Sequence, residues 1–190
     1  MSRLRTFIAI DLGKPIRARL VALQAIFAKD ISGVKWVEKE NLHVTLMFLG
    51  EVEDRALPAL CRAVDEVTQT LPRFSLSVEG AGCFPNPRRP RVLWVGVGAG
   101  AQEVCALHDA LEPPLLALGC YRREERKYAP HVTLGRHKSE QAPLGLAQAL
   151  TTHETWKAGD TAVHEIHVMS SELTPQGPTY AVLSRAKLRG

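Results

Sequence analysis

The tetrapeptide His-Val-Thr-Leu occurs twice, at residues 43–46 and at 131–134, 88 positions apart. Each copy sits among apolar and β-branched residues, the pattern of a strand. Side chains alternate across a strand, so His43 and Thr45 share one face, and Val44 and Leu46 share the other. The same holds for His131 and Thr133 against Val132 and Leu134. The fold must therefore supply two strands with an apolar back against a core. Each front carries one imidazole and one hydroxyl.

The rest of the chain reads as alternating elements. Thr6-Phe7-Ile8-Ala9-Ile10 is a buried strand. Ile16, Leu20, Leu23 and Ile26-Phe27 recur at helical spacing and predict a helix over 14–29. Short strands are expected over 34–37 and 42–49, the second ended by Gly50. Asp54 is placed to cap a helix reaching 69. Phe74, Leu76 and Val78 alternate with polar residues as in a half-buried strand. Three prolines make 83–91 a loop, and 92–97 a strand after it. Residues 103–118 form a helix that Pro113 and Pro114 should kink or shorten. A charged connector over 121–127 precedes the strand at 131–136. A short helix is expected over 144–150, then strands over 162–169 and 179–187 separated by a turn at 175–178. The short links between strands favour antiparallel pairing, and so an α+β fold. No linker divides the chain, which reads as a single domain over 1–190.

Composition narrows the setting. Hydrophobic residues make up 45% and charged residues 23%, as in ordinary soluble proteins. The net charge of +4 and pI near 9.0 suit an anionic partner. No apolar run approaches the roughly 20 residues that span a bilayer, and the N-terminal residues lack the features of a secretory leader. The four cysteines, at 61, 83, 105 and 120, match no zinc spacing. A cytoplasmic location with reduced thiols is expected.

If the two strands adjoin, two imidazoles and two hydroxyls converge. That set suits in-line displacement at phosphorus. A neutral imidazole takes a proton from water and an imidazolium gives one to the leaving oxygen. Hydroxyls bind the phosphoryl oxygens as charge develops. Metal ligation would need further ligands at suitable spacing, and neither the carboxylates nor the cysteines supply it.

Several segments together resemble the 2H phosphoesterase superfamily, in particular the bacterial and archaeal RNA 2′,3′-cyclic phosphodiesterases, historically called 2′-5′ RNA ligases. They are Arg5-Thr6-Phe7-Ile8-Ala9-Ile10, Asn41-Leu42-His43-Val44-Thr45-Leu46-Met47-Phe48-Leu49-Gly50, Arg91-Val92-Leu93-Trp94-Val95-Gly96 and Ala129-Pro130-His131-Val132-Thr133-Leu134-Gly135-Arg136. The resemblance implies two intertwined, pseudo-symmetric lobes, each an antiparallel sheet flanked by helices, with a central cleft. It implies hydrolysis of a terminal 2′,3′-cyclic phosphate to a 2′-phosphate without a cofactor. In some members it also implies 2′-5′ ligation. His43 and His131 would be the acid–base pair, with Thr45 and Thr133 on the phosphate. His131 is expected to activate water and His43 to protonate the ribose oxygen.

Further candidates surround this set. Arg136 follows the second motif and could clamp a phosphate oxygen. Strict alternation turns it away from His131 unless the strand bends at Gly135. Phe48 and Trp94 could stack on a base, although core packing is the plainer reading for Trp94. Arg88, Arg89 and Arg91 form the densest basic cluster and could meet an RNA backbone. His164 and His167 would face opposite ways on one strand. The expected partner is RNA or an oligonucleotide with a cyclic phosphate end, bound by a monomer. The alternatives are a non-catalytic RNA- or nucleotide-binding module, and the same chemistry on a small cyclic nucleotide, a nucleotide-sugar cyclic phosphate or a 2′-5′ oligoadenylate.

Overall fold

The computed structural model describes residues 2–139, 141–175 and 177–190. The turn expected at 175–178 includes Gln176, which lies outside the described residues. Among them nine strands form one sheet. They are β1 (Arg3–Asp11), β2 (Val34–Trp36), β3 (His43–Glu53), β4 (Phe74–Phe84), β5 (Val92–Val97), β6 (His131–His137), β7 (Lys157–Val163), β8 (Glu165–Thr174) and β9 (Gly177–Lys187). The helices are α1 (Gly13–Asp30), α2 (Leu57–Thr68), α3 (Ala101–Ala117) and α4 (Leu146–Thr152).

The sheet order is β7-β4-β5-β6-β3-β1-β8-β9, with β2 added to β6, and every pairing between strands is antiparallel. It falls into two halves that meet where β3 pairs with β6 at one position, Val44 opposite Val132. Each half has an HVTL strand at the seam and three more strands outward. The connections cross the seam. The chain leaves β1 in one half, packs α1 beside β7 in the other, and then adds β2 to β6. It leaves β5, and α3 packs beneath β3.

The helices cover one face of the sheet. Ile16, Leu20, Leu23 and Phe27 on α1 are buried at spacings of four, three and four, while Ile26 is 42% exposed. They join Ile8, Ile10, Val44, Leu46, Val132 and Leu134 in one hydrophobic cluster that spans both halves. Each fully buried large side chain contributes about 2 kcal/mol. No helix is long and apolar enough to cross a membrane, among the described residues.

Some boundaries differ from the sequence reading. β3 runs past Gly50 to Glu53, because Gly50 adopts a positive φ within a strand that remains paired to β1. Asp54 does not cap α2. It starts a one-turn 3-10 helix, and α2 begins at Leu57 without a side-chain cap. Cys83 and Phe84 belong to β4 rather than to the proline loop. α3 contains Pro113 and Pro114 and still reaches Ala117, its last turn anchored by buried Leu111 and Leu115. The strand expected at 162–169 is two, separated at His164. His167 lies on the second, where it meets Glu165 and Arg185.

Candidate active site

The seam sets the geometry. Counting outward from Val44 opposite Val132, antiparallel pairing puts His43 across from Thr133 and Thr45 across from His131. The four polar side chains lie on the face opposite the buried Val44, Leu46, Val132 and Leu134.

Both imidazoles are oriented in the same way. His43 Nδ1–H donates to the Asn41 carbonyl at 2.7 Å, and His131 Nδ1–H donates to the Ala129 carbonyl at 2.7 Å. In each case the acceptor lies two residues upstream. The tautomer is thereby fixed, and Nε2 is the nitrogen left for chemistry. The Thr45 hydroxyl lies 2.9 Å from His43 Nε2 and can donate to it. Aromatic rings brace both histidines. His43 stacks on Phe7, centroids 5.0 Å apart, with Tyr180 edge-on at 5.6 Å. His131 meets Phe84 at 5.1 Å and Trp94 at 6.4 Å. Trp94 also stands across from Thr133 in the β5–β6 ladder, and its indole N–H is buried without a partner among the described residues.

Burial depresses both imidazoles. His43 is lowered from 6.5 to about 4, chiefly by desolvation, with Arg17 adding to the effect against the Asn41 carbonyl and Asp11. His131 is lowered by burial as well, aided by the Arg136 guanidinium. Arg17 also fixes the strand entry, through its ion pair with Asp11 and a 3.1 Å bond to the Leu42 carbonyl.

The two strands carry the same irregularity. Between Thr45 and Met47 the partner strand β1 advances one residue, leaving Leu46 unpaired in the register. Between Thr133 and Gly135 the partner strand β5 does the same, leaving Leu134 extra. Each is a β-bulge, and it shifts the alternation by one. The burial sequence is consequently identical over six residues, with Phe48 and Arg136 exposed at the sixth. The bulge brings Arg136 onto the His131 face, where it bears on both His131 and Tyr180. Gly135 permits this because a Cβ there would stand 2.6 Å from Val34 Cγ1 and 3.1 Å from the Lys35 carbonyl.

Beyond the seam the strands part. The Thr45 carbonyl accepts a hydrogen bond from the buried Tyr128 phenol at 2.8 Å, three residues before His131, and Tyr128 stacks on His108. On the other side β2 fills the gap against β6. The result is a cleft of about 300 Å³. Of the candidates, His43, Thr45, Thr133, Arg136 and Phe48 line it. His131 and Trp94 stand beside it on β6 and β5. Arg88, Arg89 and Arg91 lie on the exposed loop after β4, outside the lining. Among the described residues no three potential metal-ligating side chains group together.

The family description "LigT like Phosphoesterase" matches residues 10–94. A protein of Methanothermobacter thermautotrophicus named RNA 2′,3′-cyclic phosphodiesterase is 35% identical over 178 residues, covering 94% of this chain and 95% of that protein. The chain belongs to the LigT-like phosphoesterases. An Archaeoglobus fulgidus protein of the same name is 36% identical, over 93% of this chain and 96% of its own. The LigT-like fold is shared with a Thermus thermophilus crystal structure at TM-score 0.83 and 29% identity, covering 98% of this chain and 99% of that one. E. coli LigT, solved in complex with 3′-AMP, matches over all of both chains at TM-score 0.77 and 26% identity.

This LigT-like cleft has lining that single-strand reasoning missed. Arg5 comes from β1, Lys35 and Trp36 from β2, Ser171 from β8 and Tyr180 from β9. Arg5 lay within a recognised segment, but no local pattern marked its side chain as part of a site. Asn41 does double duty. Its carbonyl orients His43, and its amide donates to the Pro178 carbonyl at 2.8 Å.

Proposed function

We propose that this chain hydrolyses 2′,3′-cyclic phosphates at RNA ends to 2′-phosphates, through His43 and His131 without a metal. The observation that carries the chemistry is the facing pair of imidazoles, each with Nδ1 fixed on a carbonyl and Nε2 left for the substrate. The names of the relatives support the substrate.

The singly protonated site places its proton on the less depressed imidazole, which makes His43 the base and His131 the acid. This reverses the order expected from sequence. A water oxygen attacks phosphorus as His43 Nε2 takes its proton. The bond from phosphorus to the 3′ oxygen breaks, and that oxygen takes the proton from His131. Thr45, Thr133 and Arg136 bind the oxygens on which charge accumulates. The two histidines then exchange protons with solvent.

Incubation with an RNA ending in a 2′,3′-cyclic phosphate, in excess EDTA, should give a 2′-phosphate end. Turnover only on adding metal would refute the metal-free mechanism. The roles are separated by a substrate with sulfur in place of the 3′ oxygen, a leaving group that needs little protonation. It should restore His131→Ala far more than His43→Ala, and the opposite pattern would return the roles to the original order.

A further inference from the structure

The cleft holds more positive charge than one cyclic phosphate requires. Arg5, Lys35 and Arg136 line it, against a single carboxylate, Glu38. None of these three cations has a side-chain hydrogen bond or ion pair among the described residues. By contrast Arg3, Arg17, Arg55, Arg123 and Arg185 are all ion-paired elsewhere.

Lys35 and Arg136 are cross-strand neighbours on β2 and β6, at the end of the cleft that holds Thr133. Arg5 is in the other half. It shares a face of β1 with Phe7, the ring beneath His43, and lies two residues further along, roughly 7 Å away. Ser171 of β8 is its direct cross-strand partner and also lines the cleft. Its partner on the other side, Glu51, lines an adjoining groove instead and forms no ion pair with it. Tyr180 lines the cleft too, within electrostatic reach of both Arg5 and Arg136. The cleft therefore has a cation on each half, Arg136 on β6 and Arg5 on β1, with the Tyr180 ring also in its lining.

We infer that Arg5, with Ser171, forms a second anion subsite for the phosphodiester on the 5′ side of the terminal nucleotide, so that the enzyme distinguishes an RNA end from a free cyclic mononucleotide. The inference rests on the proposed reaction, because the reactive phosphate must occupy the histidine end.

The test compares three substrates by kcat/KM: adenosine 2′,3′-cyclic phosphate with a 5′ hydroxyl, with a 5′ phosphate, and with a 5′ methyl phosphate diester. The wild type should prefer the diester over the 5′ hydroxyl by roughly tenfold or more, as expected for a charge-assisted contact. Arg5→Ala should collapse that ratio, and Arg5→Lys should restore part of it. Preference for the monoester alone would show a terminal phosphate site instead and overturn the diester assignment. An unchanged ratio in Arg5→Ala overturns the inference, as does a collapse produced by Lys35→Ala but not by Arg5→Ala. Binding of adenosine 2′-phosphate with a 5′ hydroxyl and with a 5′ methyl phosphate diester, measured by calorimetry, separates the two readings. An Arg5-dependent gain for the diester without turnover of any cyclic substrate keeps the subsite and refutes the reaction. Turnover without such a gain does the reverse.

Discussion

His43 and His131 share an environment, but burial depresses His43 to about 4 and leaves His131 nearer its ordinary 6.5. The base must be neutral and the acid protonated. Activity therefore rises as pH passes through about 4 and falls through the pKa of His131, which lies below 6.5. The profile of kcat/KM against pH, which reports the free enzyme, should be a bell with both limbs below the usual imidazole range. His43→Ala should lose the acid limb and His131→Ala the alkaline one. Each should lower kcat by about 10²–10⁴-fold. At this scale the sequence was informative. A repeated His-x-Thr on strand-like segments identified both imidazoles and both hydroxyls, because alternation within one strand is local. Arg5, Lys35 and Tyr180 were not legible, since they join the site through pairings between strands distant in the chain.

The strand elements carry a device that alternation alone conceals. A bulge at the leucine of each HVTL unit returns the sixth residue to the cleft, so Arg136 is presented where a regular strand would turn it away. Gly135→Val should displace β2 and turn Arg136 aside. Its KM for a cyclic phosphate should rise as much as that of Arg136→Ala, measured by steady-state kinetics with thermal denaturation as a control. Tyr128 acts from the connector, its phenol donating to the Thr45 carbonyl. Tyr128→Phe takes that donor from the carbonyl, at a cost of about 1–3 kcal/mol. A lowered melting temperature together with a lowered kcat should follow, since the bond ties the approach to His131 to the strand of His43. The helical spacing of α1 was readable because its apolar residues meet one flat core. The break between β7 and β8 was not, because a single residue, His164, separates the two strands.

Across the whole molecule, one core joins two halves that share a single ladder position. Burying neutral imidazoles at this junction couples stability to acid. The folded pKa of His43 lies below its unfolded value, so the unfolded chain binds more protons between about 4 and 6.5. Stability contributed by the neutral ring is present above 6.5 and is lost as pH falls through that window. Urea denaturation at pH 7.5 and 4.5 should show the loss, and His43→Asn should reduce the difference. The pairing of the two His-x-Thr strands has a further consequence, for regiochemistry. A cyclic phosphate has two ring oxygens related by a near twofold, as the two antiparallel His-x-Thr strands are about Val44 and Val132. Turning the ring over exchanges the histidines and exchanges the 2′ and 3′ oxygens, so those four groups alone do not choose which bond opens. The choice falls to positions where the halves differ, among them an aromatic ring at Phe48 and a guanidinium at Arg136. A chain carrying Arg at both positions should release a mixture of 2′- and 3′-phosphates.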